Sequence, residues 1–168
     1  MKRKSKRVVP VLFLVYLALL IWIIVFKLQF SICDLDKVRS VNLIPFYYDE
    51  EIGIAFHLKE VLENLLIFVP MGIYLQMLLP KCRFYGKLII IAGTSLLLEA
   101  AQYVLAIGRS DITDLLTNSM GGLLGLALYG MTARLLRDRA KTDKLFFVLA
   151  VTASIVVIGF LTFILFLN

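Results

Sequence analysis

Apolar residues gather in five blocks, at 8–26, 58–79, 87–107, 112–135 and 145–167. Polar and charged residues are swept to the edges of those blocks. Each block is long enough to cross a hydrocarbon core of ~30 Å as a helix rising ~1.5 Å per residue. The pattern predicts an all-α, polytopic membrane protein, a single five-helix transmembrane bundle spanning residues 1–168. The stretch 27–57 is left as one loop of about thirty residues, long for a structureless connection.

Charge sets the expected orientation. Thirteen of the eighteen Lys and Arg fall on one side if the five blocks alternate. They lie at positions 2–7, 81–87 and 134–144. Ten of the twelve acids fall on the other side or in that half of the membrane. An excess of basic residues marks the cytoplasmic side. The N-terminus is therefore expected inside, the C-terminus and loop 27–57 outside. The basic start MKRKSKR resembles a signal peptide, but its apolar run exceeds the ~7–15 residues of a signal and no A-x-A site follows. It is read as an uncleaved first span. In the outer loop NLIPF, at 42–46, is expected in the interface with Tyr47, Tyr48 and Phe56.

Composition agrees: 61% of the chain is apolar, against about half in soluble domains. The net charge of +6 follows membrane topology and does not call for nucleic acid. Cys33 and Cys82 fall on opposite sides and cannot pair. His57, the one histidine, is expected to be a solvated interfacial residue.

The polar residues inside the blocks carry the chemical question. Residues three and four apart share a helix face. Glu60, Glu63 and Asn64 share one at the outer end of the second block. Glu99 and Gln102 share one in the third, and Asp111, Asp114 and Asn118 share one in the fourth. Arg109 lies in the short turn between the third and fourth. All belong to the outer half of the bundle. An ionisable group in hydrocarbon costs about 2.5–3.5 kcal/mol at a span centre, so such groups turn inward and find partners. The expectation is an outward-facing polar pocket formed by Glu63, Asn64, Glu99, Gln102, Arg109, Asp111, Asp114 and Asn118, floored by Glu99 and Asn118.

Bland roles compete for the same residues. Asp111 and Asp114 fit the start of a helix, as N-cap acceptor and first-turn acid. Asn118 fits a hydrogen bond between helices, and Gly121, Gly122 and Gly125, with Gly130 nearby, fit a close helix contact. Pro70 and Gly72 predict a kink in the second helix. Several carboxylates near an amide suit a hard cation such as Mg²⁺ or Ca²⁺ or acid–base work, but both signals are weak, since acids at an outer interface also arise from topology and capping. No phosphate loop, Ser-His-Asp set or HExxH is present in the sequence.

Several stretches together resemble the VanZ-like family. They are LVYLALLIWIIVFKLQF at 14–30, NLIPF at 42–46, ENLLIFVPMG at 63–72 and LEAAQYVLAIGRSDITDLLTNSMGGLLG at 98–125. The Glu-x-x-Gln and Asp-x-x-Asp-x-x-x-Asn-x-x-Gly-Gly spacings are specific in combination. The resemblance implies a bacterial plasma-membrane protein linked to teicoplanin resistance, acting without remaking the peptidoglycan terminus. It carries Glu63, Asn64, Glu99, Gln102, Asp111, Asp114 and Asn118 over as the family's polar positions. Arg109 stands where members vary. The expected partners are membrane lipids and a lipid-linked envelope component or lipoglycopeptide, with no resident cofactor. The alternative expectation is a membrane enzyme modifying an outer-leaflet lipid or wall precursor with the acidic cluster.

Overall fold

The computed structural model describes residues 3–26, 38–47 and 53–167. Five helices appear in order: α1 (Arg3–Phe26), α2 (Ile54–Leu78), α3 (Phe84–Leu105), α4 (Ile112–Leu136) and α5 (Arg139–Leu167). Four of them, α1, α2, α3 and α5, are long and apolar enough to cross a membrane. The chain is therefore a helical membrane protein. The α4 helix is as long as α2, but Asp114, Thr117, Asn118 and its glycines dilute its apolar content.

Helix ends differ from the apolar blocks for local reasons. The α2 helix begins at Ile54, four residues before the block at 58, just after Gly53 with its positive φ of 87°. Ala106, in the left-handed region at φ 55°, stops α3 before Ile107. The charged turn Arg139–Lys144 joins α5, which hydrophobicity alone leaves out. Pro70 sits inside α2, which continues through to Leu78.

The all-α expectation needs one correction. Two short strands, β1 (Val38–Asn42) and β2 (Ile107–Asp111), pair in parallel, with Val38 opposite Ile107 and Asn42 opposite Asp111. Parallel pairing requires a long crossover, and α2 and α3 supply it. What reads as a plain turn around Gly108 and Arg109 is thus a strand, and part of the stretch between α1 and α2 is its partner. Leu43, Ile44, Phe46, Tyr47 and Phe56 are exposed. Cys33 and Tyr48 lie outside the described residues.

Contacts give the helix directions. Leu65 meets Gly121 and Val69 meets Gly125, so α2 and α4 run parallel. Asn118 pairs with Ser95 while Glu99 reaches Asp111, so α3 runs antiparallel to α4. The Tyr16 hydroxyl donates to the Ile67 carbonyl at 2.8 Å and ties α1 to α2. The core lies among Leu20, Phe68, Met71, Leu75, Ile91 and Leu126.

The α2–α4 contact is the tightest in the bundle. A Cβ on Gly121 would strike the Leu65 carbonyl oxygen, and one on Gly125 that of Val69. A Cβ on Gly72 would strike the Gly122 carbonyl oxygen. Gly72 therefore serves close packing. Gly122 also faces Ile91 of α3, where an added Cβ would come within 2.5 Å of its Cγ2. Gly130 takes no part, having nothing within 4 Å of an added Cβ. In lipid, where apolar surface gains little by leaving the solvent, small residues let backbones touch and gain dispersion contacts.

This contact predicts unequal glycine variants. Gly125→Leu should cost about 1–3 kcal/mol or more, since backbone cannot step aside. Thermal unfolding in detergent should show a clear fall in Tm, while Gly130→Leu leaves it unchanged.

Candidate functional site

The start of α4 collects the polar groups. Asp111 is its N-cap: Oδ1 accepts from the Thr113 N–H at 2.8 Å. The other oxygen, Oδ2, accepts from Asn42 Nδ2 at 2.9 Å. The capping acid thus also clamps the end of β1. Asn42 Oδ1 in turn accepts from the Ile44 N–H at 3.1 Å. The Thr113 hydroxyl accepts from the Phe46 N–H at 2.9 Å. The turn after β1 is therefore fixed to the start of α4 at two nearby points.

Glu99 lies behind this layer. It is 6% exposed, and its Oε2 accepts from the Asp111 N–H at 3.0 Å. Its backbone carbonyl accepts from the Ser110 hydroxyl at 2.8 Å. Glu99 Oε1 is buried with no hydrogen-bond partner. Asp114 and Asp111 face it with like charge. An unsatisfied buried oxygen normally costs about 1–3 kcal/mol, and more for a charged group.

Asp114, one turn on from the cap, accepts from Asn64 Nδ2 at 2.6 Å. This bond crosses from α2 to α4 just above the glycine contact. Asp111, Thr113 and Asp114 form one wall of an open cleft of about 220 Å³. Phe46 and Tyr47 from the turn and Ile54, His57, Leu58, Glu60 and Val61 from α2 complete it. The cleft has an acidic wall and an apolar lip. His57 Nδ1 lies 3.9 Å from Glu60 Oε2, an ion pair only when the imidazole is protonated.

The expected residues thus divide. Asn64, Glu99, Asp111 and Asp114 meet at the cleft or directly behind it. Gln102 turns to α1, its Nε2 donating to the Ile24 carbonyl at 2.9 Å, with Oε1 unpartnered. Asn118 lies deeper, donating to the Ser95 hydroxyl at 2.9 Å. Glu63 stands apart: its side chain is 62% exposed, 3.7 Å from Lys59. The helix turns it away from the face that carries Asn64. The Arg109 side chain lies outside the described residues. Among the described residues no group of three acidic, histidine or cysteine side chains is placed to hold a metal.

Sequence reading missed Asn42, Thr113 and Ser95. Asn42 was visible only as the first letter of NLIPF, and its role depends on a strand pairing across 69 positions. Thr113 and Ser95 are ordinary hydroxyl residues in apolar blocks. Their position one turn from Glu99, for Ser95, and beside the cap, for Thr113, is the signal that marked them.

Comparison with known proteins places these features in one lineage. The VanZ/LLP1 family profile matches residues 13–137, which include α2, α3, α4 and both strands. Protein VanZ of Enterococcus faecium is 37% identical over 131 residues, covering 77% of each chain. No solved structure matches. The match runs through the cleft, the cap and the glycine contact together, and this chain belongs to the VanZ/LLP1 family.

Proposed function

We propose that this protein contributes to teicoplanin resistance in a bacterial plasma membrane, by binding an envelope ligand in the cleft at the start of α4. The ligand is an envelope lipid, a lipid-linked wall precursor or the lipoglycopeptide itself. The observation that carries the reading is Glu99: buried, ionisable, half satisfied and directly behind the Asp111–Asp114 wall. Burying such a group is costly, and the Asp111 and Asp114 carboxylates in front of it offer acceptors to a ligand bearing hydroxyls or amines. The apolar lip of Phe46, Tyr47 and Ile54 suits a ligand with a lipid part. Family membership supports the biological setting.

The reading includes a topology of five spans, with the N-terminus cytoplasmic and the cleft outside. Parallel α2 and α4, with α3 reversed, support it. So does the placing of Lys81, Arg83, Lys87 and Arg139 at the end remote from the cleft. The α4 helix crosses as an inner element, its polar face spent on α2 and α3.

Two outcomes are expected. With a membrane-impermeant thiol reagent on intact cells, a variant keeping only Cys33 labels, and one keeping only Cys82 labels after permeabilisation alone. The reverse pattern would refute the orientation. In a susceptible Gram-positive host, the wild-type chain raises the teicoplanin inhibitory concentration. Glu99→Gln and Asp114→Asn return it to the empty-vector value at equal membrane level and equal Tm. If both variants keep full resistance, the cleft is not the functional site.

A further inference from the structure

The end of the bundle remote from the cleft is built round two cations that share one glutamine. Lys87, in the first turn of α3, is only 4% exposed. Its Nζ donates to Gln76 Oε1 at 2.6 Å. Arg139, at the exposed start of α5, donates from Nη2 to the Gln76 carbonyl oxygen at 2.9 Å. Neither cation forms an ion pair among the described residues. Of the neighbouring acids, Asp138 caps α5, accepting from the Ala140 N–H at 2.7 Å, and Asp143 accepts from the Tyr129 hydroxyl at 2.6 Å, which Arg139 also faces. An ammonium has three protons to place, and among the described residues one neutral acceptor meets it. Buried Lys87 and exposed Arg139 repel one another, and an anion beside them would offset that repulsion.

The same end leads into an apolar cleft of about 350 Å³ between α1, α2 and α5. Leu20 and Ile23 line it from α1, Tyr74 and Met77 from α2, and Phe146 and Ala153 from α5. Phe146 and Ala153 lie seven and fourteen residues beyond Arg139. At that spacing all three share one face of the helix. Arg139 therefore heads the stripe that lines the cleft, about 10 Å along the axis from Phe146. Met77 is the chain neighbour of the glutamine that holds both cations. A cationic head position above an apolar slot is complementary to one amphiphile with a negative headgroup.

We propose that the basic end of the bundle holds one anionic phospholipid, its phosphate against Arg139 with Lys87 behind it, and one acyl chain in the α1–α2–α5 cleft. Arg139 supplies a forked donor pair at the surface. Lys87 supplies charge from a position that salt screens little. A juxtamembrane basic site of this kind selects for headgroup charge. The chain in the slot separates this ligand from free phosphate, which engages the head position alone. The site is distinct from the cleft at α4, so neither reading depends on the other.

Native mass spectrometry of the full chain in detergent tests it. Phosphatidylglycerol, phosphatidylcholine with the same acyl chains and inorganic phosphate are offered separately and in competition. One phosphatidylglycerol is expected to be retained over phosphatidylcholine. Arg139→Gln should weaken its retention about five-fold, the effect of one basic residue at a lipid surface. Ala153→Phe, which fills the slot, should weaken it without touching the cations. Equal retention of the two lipids, or an unchanged affinity in Arg139→Gln, overturns the headgroup assignment. Displacement of the lipid by inorganic phosphate, or an unchanged affinity in Ala153→Phe, overturns the chain assignment. Should Arg139→Gln fail to fold, the lipid competition and Ala153→Phe still decide.

Discussion

The backbone contact between α2 and α4 is the constraint on which the rest depends. Gly121 and Gly125 lie under the carbonyls of Leu65 and Val69, and Gly72 fits against Gly122. Helices this close cannot slide or rotate without collision. Fixing that contact fixes the register of the polar groups beyond it. Asn64 and Asp114 come within 2.6 Å because the glycines below allow it. Interhelical hydrogen bonds in membranes contribute about 0.6 kcal/mol on average. The Asn64–Asp114 bond therefore serves placement more than stability. The packing does the holding.

Above the contact the chain spends its polar groups on one another. Asp111 caps α4, clamps Asn42 and offers its N–H to Glu99. One residue thus joins a helix, a strand and a buried acid. The parallel strand pair gives the backbone at 38–42 and 107–111 partners it would lack as open loops. That satisfies the demand that main-chain groups near a membrane be hydrogen-bonded within the protein. Among the described side chains, Glu99 Oε1 is left buried without a partner, as are Gln102 Oε1, Asn118 Oδ1 and Ser40 Oγ. Glu99 is the one acid among these four residues, and it lies behind the open cleft.

Much of this was legible from periodicity. Apolar blocks gave the five helices, and the i, i+3, i+7 spacing singled out Asp111, Asp114 and Asn118, which turn to Asn42, to Asn64 on α2 and to Ser95 on α3 respectively. The glycines at 121, 122 and 125 marked the close contact. What periodicity missed came from pairing at long range. The strand at 38–42 is five residues long, and its partner contains Gly108 and Arg109, which read as a turn. Glu63 shows the opposite failure. The i, i+3, i+4 spacing from Glu60 put Glu63 and Asn64 on one face, but adjacent residues on a helix point about 100° apart. Asn64 faces α4, so Glu63 faces outward to Lys59. Lys87 was counted only as a topogenic charge, because burial of a block-edge lysine depends on how Gln76 and α5 arrive there.

The two ends of the bundle thus differ in kind. One carries an acidic wall with an apolar lip, the other a cationic pair above an apolar slot. The helices between them join the two through the glycine contact. The most direct test of the central claim is cross-linking in living cells. A photoreactive p-benzoylphenylalanine replaces Phe46 at the lip of the cleft, and adducts are identified by mass spectrometry. A lipid-bearing envelope adduct is predicted, present in the otherwise wild-type chain and lost when Glu99→Gln is added. An adduct unaffected by Glu99→Gln would contradict the account, because the buried acid would then have no part in what the cleft holds.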